Sequence, residues 1–445
     1  MVTAFRPRTL VLFLGDILSF IVALWLSLFL RAFDVPTQQA LFAHLYPFSL
    51  LFVAWVAVFF IAGLYENRSI ILARRALSST LLTAQTFNMV LAALFFFFVP
   101  LFGIAPKTLL LIYLVVSFCV VLLWRAALAP RLWKPENAVA VGNTEEIREL
   151  ERALNAAHRA PVRVAAVIDS GTPDLAEELH ATLARHRSRM VIADWSDTRV
   201  SAIFGDVSYY IAEGVRFFDA VSLYETVFGR VALRHVDDRW VARHISRYAH
   251  TLYDPLKRAM DIAAALLLGV FSLPFYPFII ALIKLQDGGP IFYAQVRVGE
   301  RGRPIVMRKF RSMTGADKGA EVLKSRLEVT PFGRVMRKAR IDELPQLWNV
   351  LKGDLSLIGP RPEFPALVKE YATHIPYYQL RHLVKPGLSG WAQLYHDNHP
   401  HHGSDVEATK EKLSYDLYYL TRRSLILDLI IALKTVKKLI TRSGV

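Results

Sequence analysis

Long apolar runs dominate the first third of the chain and then give way to shorter ones. Residues 10–30, 47–64, 81–101 and 108–124 form four such runs, each close to the roughly 20 residues that a helix needs to cross a bilayer core. Asp16 and Asn88 interrupt two of them and are expected to find partners inside a helix bundle. No small-residue cleavage site and secreted domain follow the first run, so it reads as a span and not as a removed signal. Basic residues gather on alternate connections. Arg6 and Arg8 precede the first span, Arg68, Arg74 and Arg75 separate the second from the third, and Arg125, Arg131 and Lys134 follow the fourth, whereas the other connections carry Arg31 and Lys107. This asymmetry predicts that both ends of the bundle face the cytoplasm.

Beyond residue 135 the pattern shortens. Strand-like runs at 138–141, 162–168 and 190–193 alternate with helical ones at 145–157 and 174–186, which predicts a small α/β sheet of doubly wound type. The first strand ends in Gly142-Asn143-Thr144, without the glycine spacing of a dinucleotide site. A structural or dimerising module, with homodimer formation as one outcome, is therefore expected over a nucleotide-binding one, which stays the alternative. The reading divides the chain into a bundle at 1–134, an α/β module at 135–246 and a third domain at 247–445.

That third domain contains one more apolar stretch, 262–283. A spanning helix here would export the Arg- and Lys-rich sequence after Lys284, and nothing later is long enough to return it; 424–433 is short and contains Asp428. Pro274 and Pro277 kink such a helix, and Ser272 can reach a freed carbonyl. The expectation is a re-entrant helix over 256–285, with Lys257, Arg258 and Lys284 at one phosphate layer; a kinked spanning helix is the alternative. Residues 410–440 alternate basic and apolar positions, including Arg422, Arg423, Lys434, Lys437 and Lys438. They predict interfacial helices on anionic lipid, or else a core-packing helix with a basic outer face.

Composition agrees with a membrane protein: hydrophobic residues make up 54% of 445, and the net charge is +15. Such a charge suits nucleic acid, anionic lipid or phosphate substrates without choosing among them. Cys119 is the sole cysteine, which excludes an intramolecular disulfide.

Three clusters carry candidate chemistry. Arg308-Lys309-Phe310-Arg311-Ser312-Met313 offers arginine forks that bind phosphate oxygens in pairs; it also fits a solvated or lipid-facing surface. Arg340-Ile341-Asp342-Glu343-Leu344-Pro345-Gln346-Leu347-Trp348 puts Pro345 in a first helical turn, with Leu344, Leu347, Trp348 and Leu351 as the apolar face. Asp342 and Glu343 then sit at a helix start, where negative charge is favoured for function or for capping alone. The third cluster runs from Gly353-Asp354 through Ser356 to Gly359-Pro360-Arg361-Pro362; flanking prolines aim Arg361 at low entropic cost, although a rigid turn would look the same.

Taken together, 257–436 resembles the bacterial sugar transferases that act on polyprenyl phosphates, the monotopic phosphoglycosyl transferases. Asp342-Glu343-Leu344-Pro345-Gln346-Leu347, Asn349-Val350-Leu351, Gly359-Pro360-Arg361-Pro362, Lys385-Pro386-Gly387-Leu388-Ser389-Gly390-Trp391-Ala392-Gln393 and Tyr415-Asp416-Leu417-Tyr418-Tyr419 follow the family motifs. The whole arrangement resembles the long members, which place four spans and a Rossmann-like cytoplasmic domain ahead of a monotopic catalytic domain. The resemblance implies a multi-pass protein of the bacterial inner membrane with its catalytic domain on the cytoplasmic face. It implies that Asp342 attacks the β-phosphate of a UDP-sugar, that UMP leaves, and that polyprenyl phosphate collects the sugar phosphate with Glu343 as assisting base. Mg²⁺ would screen the phosphates and contact Asp342. Arg308, Arg311, Arg337 and Arg361, with Lys257 and Arg258, are the expected substrate-binding cations. UDP-glucose or UDP-galactose is the favoured donor, exopolysaccharide or O-antigen assembly the setting, and nucleic acid has no place. The rival class is a non-catalytic membrane scaffold whose α/β module senses a nucleotide. Two departures stand out. Arg340 replaces a small residue, and Leu394-Tyr395-His396-Asp397-Asn398-His399 replaces an Asn-Gly pair after Gln393. His396, His399, His401 and His402 lack a metal-site spacing and are expected to form a solvated loop.

Overall fold

The computed structural model describes residues 6–65, 77–98, 107–132, 135–156, 162–203, 207–245, 252–314, 328–396 and 405–440. Arg68, Arg74, Arg75, Lys134, His399, His401 and His402 lie outside them. The chain divides into Met1–Gly229 and Arg230–Val445. Its described part is mostly helical, with a small α/β region, and five helices are long and apolar enough to cross a membrane.

In the first unit, helices Arg6–Ala32, Gln38–Ile61, Leu77–Phe98 and Lys107–Leu123 pack around Phe20, Phe48, Trp55, Phe59, Leu81 and Tyr113. Leu10, Leu14, Leu18, Leu111 and Val115 remain exposed on the outside, so these helices are apolar on both faces, as lipid-facing helices are. The second helix starts well before the apolar run expected at residue 47. Thr37 caps it by accepting from Ala40 N at 3.3 Å, and Pro47 is interior. Asp16 does find a partner: Arg125 donates Nε to Oδ1 at 2.9 Å and Nη2 to Oδ2 at 2.5 Å, and Tyr65 also donates to Oδ2. Arg125, which follows the fourth apolar run, is therefore a buried structural cation. Asn88 donates to Gln85 Oε1 at 3.3 Å.

The α/β region is a parallel sheet of β1 (Glu136–Val141), β2 (Val162–Ile168), β3 (Met190–Ala193) and β4 (Arg216–Asp219), in the order β2-β1-β3-β4. Helices Glu145–Ala156 and Leu175–His186 fall where expected. The fourth strand was not legible because only half of its short span is strongly apolar.

The second unit begins earlier than the sequence boundary at 246/247. Val231, Val236, Trp240 and Ile245 are buried against Tyr371, Tyr378 and Leu417, so their apolar side chains bind this segment to the later core. Helix Tyr253–Ser272 runs through a 3₁₀ turn at Leu273–Phe275 into helix Tyr276–Asp287, the interruption falling at Pro274 as expected. An antiparallel hairpin follows, β5 (Phe292–Val298) with β6 (Pro304–Phe310). Ala265 of the first helical piece is buried with Ile305, Met307, Leu347 and Val350, while Ile279 and Ile283 of the second are buried with Phe310 and Met336. Leu344 packs against both clusters.

Residues 410–440 divide in two. Helix Val406–Arg422 is a core helix and not an interfacial one: Leu413, Leu417 and Leu420 are buried, and the helix carries buried Lys412 and Asp416, ion-paired to Glu363 and Arg381. Helix Leu425–Ile440 buries Ile430 and Ile431 but exposes Ile426, Leu429, Val436 and Leu439.

Candidate active site

The acidic pair sits on a 3₁₀ turn, Ile341–Gln346, that leads into helix Leu347–Lys352. Pro345 lies inside this turn and not in its first residues, so its missing N–H forgoes one turn hydrogen bond. The chain enters through Arg340 at φ 53°, a left-handed conformation that favours residues without a bulky Cβ. That is the physical reason a small residue suits this position. Leu347 is buried as expected, but Trp348, expected on the same face, is 66% exposed and Val350 is buried in its place, because the 3₁₀ turn shifts the phase of the short helix.

Asp342 and Glu343 are neighbours with opposite surroundings. Lys309 Nζ lies 2.7 Å from Glu343 Oε1, Arg361 Nη2 3.6 Å from the same oxygen, and Arg340 Nη1 3.4 Å from Oε2. Burial alone would push the Glu343 carboxyl up, but Arg361, Lys309 and Arg340 outweigh it and hold the pKa at about 2. Asp342 is 7% exposed, and no Lys or Arg of the described residues comes within ion-pair distance of it. Burial and the Glu343 charge raise its pKa, and Lys309 and Arg337 offset this only in part. Burial depresses Lys309 in turn, against the pull of Glu343.

A cleft opens beside the pair, lined by Arg297, Lys309, Glu343, Gln346, Arg361 and Gly387 among others. Arg361 is held from behind. Gly359 N donates to Ser389 O at 2.8 Å and Gly387 N to Pro360 O at 2.9 Å, which joins strands Ser356–Ile358 and Gly387–Ser389. A Cβ on Gly387 would come within 2.1 Å of Gly359 N, so the motif glycines permit this backbone contact. Arg381 donates Nη2 to the Arg361 carbonyl at 3.0 Å and is fixed in turn by Asp416 at 2.7 Å. Arg381–Asp416 is thus a buried support for the Gly359-Pro360-Arg361 turn.

The other predicted cations are distributed unevenly. Arg311 donates Nε to Met313 O at 3.1 Å and Arg337 meets Met313 Sδ at 3.2 Å, so these two converge. Arg308 is exposed on the strand face opposite Lys309, as strand alternation requires. Lys257 and Arg258 are engaged with groups of the protein. Lys257 pairs with buried Asp428 at 2.8 Å. Arg258 donates to Val350 O at 2.6 Å and Leu351 O at 2.7 Å, capping the carbonyl end of the helix behind the acidic pair. Lys309, Arg297 and Gln346 line the cleft as well, although none is expected there from its local sequence. His396 is buried, with Nε2 3.4 Å from Glu411, so it is not part of a solvated loop. Among the described residues no group of three or more His, Cys, Asp or Glu side chains could hold a metal. One unpaired carboxylate beside a cationic cleft nevertheless fits Mg²⁺, which commonly takes one or two carboxylates and completes its shell with substrate phosphates and water.

The geometry is one of fixed cations around a cleft, with one buried carboxylate left outside their ion pairs. Residues 252–442 match the bacterial sugar transferase family. A UDP-N-acetylgalactosamine-undecaprenyl-phosphate N-acetylgalactosaminephosphotransferase of Aeromonas hydrophila is 42% identical over 49% of this chain and 51% of its own length; the chain thus spans about half of that relative. An uncharacterized sugar transferase, EpsL, of Bacillus subtilis (strain 168) is 40% identical over 43% of this chain and 90% of its own. A UDP-glucose:undecaprenyl-phosphate glucose-1-phosphate transferase of Caulobacter vibrioides is 39% identical over 42% and 71%. The chain belongs to the bacterial sugar transferase family.

Proposed function

We propose that the protein transfers a hexose-1-phosphate from a UDP-sugar to a polyprenyl phosphate of the undecaprenyl type, with Asp342 as nucleophile. An Asp342 oxygen attacks the β-phosphorus, the bond from that phosphorus to the bridging oxygen breaks, and UMP leaves. The resulting acyl phosphate is attacked at the same phosphorus by the lipid phosphate, and the Asp342 carboxylate is released. A carboxylate nucleophile splits one difficult displacement into two. The observation that carries this reading is the contrast between the neighbouring carboxylates: Glu343 is tied into ion pairs, whereas Asp342 is buried, unpaired and raised in pKa. Paired acids with divergent environments are the mark of divided roles. Held near pKa 2, Glu343 is a weak base, and its geometry suits it to fixing Lys309 and Arg361 over the cleft. Mg²⁺ held by Asp342 and substrate would neutralise phosphate charge. A scaffold needs no unpaired buried carboxylate.

The finer architecture belongs to the same proposal: a four-span bundle and a Rossmann-like module ahead of a monotopic domain on the cytoplasmic face of the inner membrane. Re-entrance of 256–285 is supported by its packing. Both helical pieces bury residues against one scaffold through Leu344, while Leu267, Val270, Phe271, Leu273, Phe275 and Phe278 between them are exposed. The exposed apolar face of Leu425–Ile440 supports contact with lipid. The relatives' names carry N-acetylgalactosamine and glucose, so the donor is proposed as a UDP-hexose or its N-acetyl derivative.

Purified protein supplied with UDP-sugar and polyprenyl phosphate is expected to release UMP, and Asp342→Asn to reduce release by at least about a thousandfold, the loss of a nucleophile being worth several kcal/mol. Full turnover by Asp342→Asn would overturn the mechanism.

A further inference from the structure

The cleft beside the acidic pair holds more hydrogen-bonding capacity than its own residues use. Gln346 is 1% exposed and lines the cleft, and its Nε2 has no hydrogen-bond partner. A buried donor left in this way costs free energy until something accepts from it. Arg297 enters the same cleft from β5. Its guanidinium sits 3.3 Å from the centre of the Phe364 ring and donates to Pro362 O at 3.3 Å and Gln295 Oε1 at 3.0 Å. No carboxylate of the described residues is within ion-pair distance of it. Burial and the nearby Arg361 lower its pKa to about 10, so it stays charged at neutral pH. Glu343 cannot satisfy it, being shared already by Lys309, Arg340 and Arg361.

What remains is a cation held in place by an aromatic ring and a buried amide donor with nothing to bind. A tetrahedral oxyanion seated in the cleft that both line would accept from both, and an apolar or cationic ligand would satisfy neither. We infer that Arg297 and Gln346 form a phosphate subsite separate from the phosphorus that Asp342 attacks. The inference rests on the phosphoryl-transfer reading of the site, which supplies two phosphates of suitable chemistry: the one that departs on the nucleoside monophosphate and the one carried by the acceptor lipid.

The test uses the full chain in detergent with Arg297→Lys and Gln346→Met. Gln346→Met keeps the buried volume, so it remains informative even where Arg297→Lys fails to fold. UMP binding is measured by calorimetry in an Asp342→Asn background, and KM for a short prenyl phosphate is measured with Asp342 intact. A weakening of roughly tenfold or more for one of the two ligands, as loss of a charge-assisted hydrogen bond predicts, without a fall in thermal melting, supports the subsite. Loss confined to UMP assigns it to the departing nucleotide, and loss confined to prenyl phosphate assigns it to the acceptor. Unchanged binding of both ligands overturns the inference. The two readings fail separately: turnover by Asp342→Asn sinks the nucleophile and leaves the subsite measurements standing.

Discussion

Asp342 is the residue at which function and stability pull apart. Its folded-state pKa lies above the ordinary carboxylate value, chiefly through burial and then through Glu343. The unfolded chain therefore gives up this proton first, and stability falls as pH rises through that interval. Glu343 has the opposite sign: with a folded pKa of about 2, it stabilises the fold above the usual carboxylate range and loses that contribution as pH drops toward 2. Asp342→Asn, which keeps the shape and removes the charge, is expected to melt at a higher temperature than the wild type at neutral pH. The difference should vanish below about pH 3, where an ordinary aspartate is itself largely protonated. A lower melting temperature for Asp342→Asn at neutral pH would mean that the carboxylate is stabilised by an interaction this arrangement does not contain. The raised pKa also means that turnover should gain an acid limb above the usual aspartate range, since the nucleophile must be ionised.

At the scale of elements, the acidic turn is held by parts distant in sequence. Arg258 caps helix Leu347–Lys352 through two carbonyls, and Asp261 Oδ1 accepts from Leu357 N at 3.1 Å, so the apolar helix is fastened to the catalytic scaffold at its start. Arg258→Met should destabilise by on the order of 2 kcal/mol, from the lost charged donor, and lower kcat while leaving UMP affinity unchanged. A direct contact with substrate phosphate would instead show as weakened UMP binding with little change in melting. Such assignments mark the boundary of what the chain discloses without coordinates. The acidic turn and the Arg361 turn were legible because each motif is local, and the long apolar helices were legible because such a run has few other uses. Arg297 and Lys309 were not. They share one face of the hairpin only through the register Arg297↔Ile305 and Tyr293↔Lys309, which no single run of residues encodes. Lys257 and Asp428, or Arg381 and Asp416, likewise look like free surface charges until folding brings them together. Trp348 was misplaced for a related reason, since a few residues of 3₁₀ turn rotate the helix that follows.

At the scale of the whole molecule, the side of the membrane on which 288–445 lies turns on the helix at 253–286. As a straight rod, 34 residues would extend about 50 Å at 1.5 Å per residue, more than the roughly 30 Å hydrocarbon core. Length alone therefore permits a span. Packing argues the other way, because Ala265 and Ile279 both bury against the second unit's own core, and a helix that left through the far leaflet would leave one of those ends without its partners. The exposed apolar residues are concentrated around Pro274, where a bend submerged in one leaflet would cover them. Cys119 is the only cysteine, so Cys119→Ser gives a thiol-free background in which Leu256→Cys and Leu285→Cys, both exposed in the structure, report from the two ends. A membrane-impermeant maleimide is expected to label both cysteines in inside-out vesicles and neither in right-side-out ones. Labelling of one from each side would establish a spanning helix, move Asp342 and its cleft across the bilayer from Leu256, and separate the proposed active site from any donor on the side where the bundle ends.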